Sequence, residues 1–178
     1  MNLKALAYQL RRDTIDIICA GKAGHIGGDM SVMEILVELY FDQMNSGSLG
    51  HGLPVCVGMA KAAKMDHKDR RVYVVMGDGE LAEGSVWEGA MAARQYKLDN
   101  LCAVVDRNRL QISGNTEDVM GHDDLHERFR SFGWHVIDVK DGNDIDELHV
   151  AFEEAKCVKE KLTVLIANTV KGKGSSIM

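Results

Sequence analysis

Proline is almost missing from this chain: Pro54 is the only one in 178 residues. Interruption of the backbone therefore falls to glycine, of which there are 18. Cysteine is scarce as well. Cys19, Cys56, Cys102 and Cys157 are scattered with no CxxC pair, which excludes a disulfide frame and a zinc ribbon. They read as reduced, mostly buried thiols of a cytoplasmic protein. No apolar run approaches the roughly 20 residues that span a bilayer, so no membrane partner is expected. The start, MNLKALAYQLRRD, has an amphipathic helix pattern and not that of a signal peptide. A basic stripe is also lacking: the net charge is −6, which argues against a nucleic-acid surface. An anionic ligand would have to be held by local groups, such as a metal, helix N-termini or a few lysines.

What is present is ordinary globular composition, 46% apolar and 27% charged. The length suits a single domain over residues 1–178 that buries roughly 70% of its extended surface. Leu3, Leu6, Ala7, Leu10, Thr14, Ile17 and Ile18 recur at helical spacing and predict a helix over 3–19. AGKAGHIGGD reads as irregular. Ser31 with Glu34 has the pattern of a capping box opening a helix from Val32 to Phe41. SGSLGHG follows, then Pro54 where a first helical position would be, with small residues running on to Met65.

From there the chain alternates. Strands are expected at Val72–Met76, Leu101–Asp106, Trp134–Val139 and Leu162–Thr169. Helices are expected at Ser85–Tyr96 and Asp123–Phe132, the latter closed by Gly133, and from Asp144 to about Val158. Strands nearly continuous in Val, Ile and Leu, alternating with helices, indicate an α/β fold: a three-layer α/β/α arrangement with a mostly parallel sheet.

In such sheets ligands sit beyond the carboxyl ends of the strands. Arg71-Val-Tyr-Val-Val-Met-Gly-Asp-Gly-Glu80 puts Asp78 at one such end. By itself Gly-Asp-Gly is a turn signal. Thirty residues on, VVDRNRL presents Asn108 at the end of the next strand, and one strand–helix–strand unit takes about 30 residues. If the strands are neighbours, a carboxylate oxygen, an amide oxygen and a backbone carbonyl meet at one place. That hard-oxygen set suits Mg²⁺ or Ca²⁺ and leaves positions for phosphate oxygens. Glycine on both sides of Asp78 lets the backbone approach a ligand closely. No GxxxxGK[ST] loop is present, and no GxGxxG follows the first strand of a βαβ unit.

GDGELAEGSVWEGA with YKLDNLCAVVDRNRLQISG resembles the thiamine-diphosphate motif of transketolases. GHIGGDMSVMEILVELYF before it and ANTVKGKG after it extend the likeness to nearly the whole chain. The resemblance implies a diphosphate-binding N-terminal domain. Asp78, Asn108 and the Leu110 carbonyl would hold Mg²⁺ or Ca²⁺, and Gly79 and Asn108 would touch the diphosphate. Gly47, Ser48 and Leu49 resemble the loop that lies against the cofactor. Lys171 resembles a lysine reaching the diphosphate, and His25 a histidine at the substrate's hydroxyl end. Glu83 and Glu88 resemble acidic residues linking two active sites across a homodimer. His122 and His126, four apart on an expected helix, have no third ligand in view and read as a solvated helix face.

The departures from the family matter equally. FDQMN runs straight into SGSLGHG, where transketolases carry several dozen residues including a Lys-Gly-His motif. The chain stops at KGKGSSIM, before another expected active-site histidine, and it has no pyrimidine-binding domain. Asp29 and His51 stand where the family has a small residue and, commonly, glutamine. The expectation is an N-terminal subunit of a split transketolase that needs a partner chain bearing the pyrimidine domain. The alternative is a truncated module that binds cofactor and metal without turnover.

Overall fold

A computed structural model describes residues 3–22, 24–39, 49–112 and 114–175. Two helices open the chain, α1 (Leu3–Gly21) and the short α2 (Ile26–Ser31), followed by α3 (Met33–Leu39) and α4 (Gly52–Met65). Then come β1 (Val72–Gly77), a 3₁₀ turn at Asp78–Ala82, α5 (Gly84–Gln95) and β2 (Leu101–Arg107). A small hairpin, β3 (Leu110–Gln111) with β4 (Gly114–Asn115), leads into α6 (Thr116–Met120) and α7 (Leu125–Ser131). β5 (His135–Val139), α8 (Ile145–Cys157) and β6 (Thr163–Asn168) complete the order.

The main sheet runs β1-β2-β6-β5, and each neighbouring pair is parallel. Alternate residues of the strands serve two separate cores, as the two-residue period of a strand requires. Ala103, Val105, Val164 and Ile166 pack with Leu53, Ala60, Val86, Ala90 and Phe129 of α4, α5 and α7. Cys102, Val104, Leu165 and Ala167 face the other way, onto Ile35 of α3 and Leu148, Ala151 and Phe152 of α8. The sheet is thus covered on both faces, and the three-layer expectation holds. Each fully buried side chain of the size of Phe129 or Leu148 contributes about 1.5–3 kcal/mol by leaving water.

Gly133 closes α7 as expected. It sits at φ +80°, its N–H reaches the Arg130 carbonyl, and the Trp134 N–H reaches back to Phe129, the paired bonds of a Schellman ending. Asp144 caps α8 by accepting from the Asp146 N–H. Pro54 lies in the first turn of α4, two residues after Gly52, where its missing N–H is no loss.

Two expectations at the N-terminal end need correction. Ile26–Ser31 is helical despite its glycines. Ser31 and Glu34 do not form a capping box. The Ser31 hydroxyl lies 2.9 Å from the Gly28 carbonyl and 2.8 Å from Asp106, with a single proton to share between them, and Glu34 is taken by Arg11. Long-range polar partners in a buried setting outcompete the local cap. No helix among the described residues is long and apolar enough to cross a membrane.

Candidate functional site

Gly77, the last residue of β1, pairs with Asp106 of β2. Asp78 therefore leaves the sheet one residue beyond the pairing, and Asn108 two residues beyond it on the next strand. The two turns are joined. One Asp78 carboxylate oxygen accepts from the Arg109 N–H at 2.7 Å, and the other from the Gly79 N–H at 3.0 Å. The Asn108 side-chain oxygen accepts from the Leu110 N–H at 3.1 Å, while its NH₂ donates to Asp106 at 3.1 Å. Asp78, Asn108 and Leu110 are thus gathered at the carboxyl end of two adjacent strands.

Leu110 opens the β3–β4 hairpin, which packs back on the Gly-Asp-Gly turn. A side chain at Gly79 would meet the Gln111 Cβ at 3.0 Å, so the near neighbour there is the hairpin itself. At Gly77 nothing lies within 4 Å, and that side of the strand tip is open.

The site is acidic and partly dry. Asp78 is 1% exposed and Asp106 5%. Burial pushes the Asp78 carboxyl upward, against the Arg109 and Gly79 N–H bonds that favour its ionised form, and the Asp106 charge pushes it further up. Burial likewise raises Glu80 and Asp106. Buried carboxylates call for a compensating cation. Asp78 and Asn108 have oxygen lone pairs left after the bonds above, and with the Leu110 carbonyl they are hard-oxygen donors. The residues therefore fit a divalent ion of the Mg²⁺ or Ca²⁺ kind.

Other segments converge on the same edge. Gly50 stands at φ +81°, donates its N–H to Glu80 at 2.9 Å and accepts from the Ser85 hydroxyl at 2.7 Å. A side chain there would lie 2.7 Å from that hydroxyl oxygen, so the position needs glycine. Leu49, beside it, is 55% exposed. Gly47 and Ser48 lie outside the described residues. Lys171 runs its stem along Gly27, whose Cβ would sit 3.1 Å from the lysine Cε, and Gly172 donates to the Gly27 carbonyl at 3.1 Å. The KGKG and GHIGG stretches are thereby held together, with the Lys171 charge favouring ionised Asp106. His25 is exposed at the start of α2. Asp29, whose N–H bonds the His25 carbonyl, is raised by burial and opposed by the His25 charge. Glu83 and Glu88 are exposed on and just before α5.

His122 overturns its expectation. It precedes α7, and it is 1% exposed, with a ring nitrogen 2.9 Å from the Asp78 carbonyl. The other ring nitrogen faces Arg128 at 3.5 Å. It is a buried buttress of the Gly-Asp-Gly turn. His126 is partly exposed, with its ring 2.9 Å from Asp138. Asp106 is the other residue that sequence reasoning passed over: it lies inside an apolar strand, and its only outward signal was an acid in a buried run.

The model of the transketolase thiamine diphosphate binding domain matches residues 41–178. A subunit of the apulose-4-phosphate transketolase of Phocaeicola vulgatus is 37% identical, over 94% of this chain and 82% of its own length. That alignment runs over 232 positions, so the relative carries several dozen residues with no counterpart in these 178. The 6-deoxy-6-sulfo-D-fructose transketolase subunit SqwG of a Clostridium species is 44% identical over 75% of this chain, which spans about half (48%) of that relative. The transketolase of Leishmania mexicana superposes over 99% of this chain and 38% of its own with a TM-score of 0.89, at 24% identity, a likeness of fold. The chain belongs to the transketolase N-terminal, thiamine diphosphate binding domain family.

Proposed function

We propose that this chain is the N-terminal subunit of a split transketolase. It binds thiamine diphosphate through Mg²⁺ or Ca²⁺ and, with a partner chain carrying the pyrimidine-binding domain, transfers ketol units between sugar phosphates. The observation that carries the reading is the bond from the Arg109 N–H to Asp78, which fixes the two strand-end turns as one unit. The match to relatives that are themselves named as single subunits of transketolases supports a partner chain.

In this reading Asp78, Asn108 and the Leu110 carbonyl hold the ion, and Gly79 and Asn108 meet the diphosphate. Gly47, Ser48 and Leu49 line it, and Lys171 reaches it as a point charge. Bound thiamine diphosphate supplies an electron sink beside a ketone. His25, on an exposed loop, positions and exchanges protons at the sugar hydroxyls. Glu83 and Glu88 face a second copy. The exposed apolar Val55, Met59 and Met91 on α4 and α5 support a homodimer contact there. Four unpaired thiols suit the cytoplasm.

A second reading has its own support. An alignment longer than this chain means that family segments are missing from it, including, in our reading, the Lys-Gly-His stretch before SGSLG. The chain then binds cofactor and metal for assembly without turnover.

Calorimetry with thiamine diphosphate, with and without Mg²⁺, tests the shared part. Metal-dependent binding that disappears in Asp78→Asn is expected, and binding indifferent to both would refute it. Titration with a candidate C-terminal subunit, followed by a ketol-transfer assay, separates the two readings. Activity of the purified chain by itself would overturn the need for a partner.

A further inference from the structure

We propose that Asp106 is a positioning residue that sets the orientation of the Asn108 amide and so presents its oxygen to the divalent ion. The inference rests on the metal-binding reading above. It concerns a residue that lies inside β2 and is itself buried.

Asp106 is 5% exposed and sits two residues before Asn108. Four groups from three parts of the chain address its carboxylate. The Ser31 hydroxyl at the end of α2 donates at 2.8 Å, and the Asn108 NH₂ donates at 3.1 Å. The Thr169 hydroxyl after β6 donates as well, and the Lys171 charge acts on it from the same segment. One carboxylate oxygen faces both Asn108 and Ser31 and the other faces Thr169, so the group is held in place from both sides.

An amide has two distinguishable ends. The Asp106 oxygen that faces Asn108 accepts, and a backbone N–H can only donate. Asn108 lies between one of each: Asp106 on its NH₂ side and the Leu110 N–H on its oxygen side. Turned over, the amide would set oxygen against carboxylate and NH₂ against N–H, losing both bonds. Only one orientation is compatible with both neighbours. In that orientation the oxygen keeps a further lone pair beyond its bond to the Leu110 N–H. Ser31 and Thr169, which hold Asp106 still, come from the stretches that carry His25 and Lys171. The ion, the substrate-side loop and the diphosphate-side loop therefore share one buried anchor.

A residue that only stabilised the fold would leave the Asn108 amide and metal affinity alone once the fold was intact. The first measurement needs no Asp106 variant. In the ¹⁵N-labelled full chain the Asn108 side-chain NH₂, assigned by its loss in Asn108→Asp, is expected to exchange slowly with solvent. Exchange at the rate of free asparagine side chains would overturn the proposal.

The second measurement is Mn²⁺ binding by electron paramagnetic resonance in the presence of thiamine diphosphate. Asp106→Asn is expected to keep the circular dichroism of the wild type, to speed Asn108 NH₂ exchange and to weaken Mn²⁺ about 10- to 100-fold, the range for groups that orient metal ligands. Mn²⁺ bound by a folded Asp106→Asn as tightly as by the wild type would overturn it. Wild-type affinity retained in Asp78→Asn would instead remove the metal reading, and this inference with it. If Asp106→Asn does not fold, the wild-type exchange rate decides.

Discussion

The guanidinium of Arg11 in α1 grips both carboxylate oxygens of Glu34 in α3, with each side chain only 8% exposed. Arg11 also donates to the Met30 carbonyl, and Asn143 donates to Glu34. A charge left alone in such a place is costly, whereas an apolar pair of similar volume is not. Glu34→Ala is expected to lower stability by about 3–5 kcal/mol. Arg11→Met with Glu34→Leu should recover most of it. Urea unfolding of Glu34→Ala and of the apolar double checks this; equal losses in the two would contradict this account.

Gly77 and Gly79 flank the same aspartate but should answer differently to alanine. Gly77 has ordinary extended angles, φ −70° and ψ 149°, and open space beside it. Gly77→Ala should change stability by less than about 0.5 kcal/mol, as a substitution in free space does. If the diphosphate occupies that space, its affinity falls. Gly79→Ala must push the Gln111 side of the hairpin, so it should lower both melting temperature and cofactor affinity. Paired thermal melts and calorimetry check the contrast. A Gly77→Ala chain that binds as the wild type does would place the ligand elsewhere.

Asp99, away from the site, is one source of the pH dependence of stability. Burial would raise Asp99, but the bond from Lys64 at 2.6 Å and the Glu160 N–H at 3.1 Å outweigh it, and the folded value falls below the ordinary 3.8. Its stabilisation is present above that ordinary value and is lost as pH falls through the lowered one. Both partners are partly solvated, so the effect stays under about 1 kcal/mol. Unfolding curves between about pH 5 and pH 2 should be flatter in Asp99→Asn than in the wild type. Parallel curves would assign the acid sensitivity to other groups.

Thiol reactivity should divide the cysteines in two. Cys19 and Cys157 are exposed, and Cys56 and Cys102 are buried. Burial raises the Cys56 thiol and pushes Cys102 up to about 12. At pH 8 two of the four thiols are expected to react promptly with a disulfide reagent, and the remaining two only on denaturation. Rapid modification of all four under native conditions would show that the central strand β2 opens readily.

The strands were legible because β2 and β6 are uninterrupted apolar runs, a pattern that a doubly covered strand alone needs. Gly133 was legible because a helix end at positive φ demands it. The helical turn at Ile26–Ser31 was hidden, since Gly27 and Gly28 have poor helix propensity and tertiary contacts supply the difference. Ser31 and Glu34 were misread because their spacing satisfied a local rule while their partners lay 75 and 23 residues away. The same holds at the site. Asp78 and Asn108 stand at strand ends, where periodicity breaks visibly. Asp106 and His122 act from within the packing and leave no periodic trace.

In this sheet the interior of each strand belongs mainly to packing, and Asp78 and Asn108 hang from its downstream rim. Selection can therefore rewrite, shorten or swap the rim segments one at a time while the slab beneath them stays put. A chain that had shed a rim segment could keep its architecture and change its vocation.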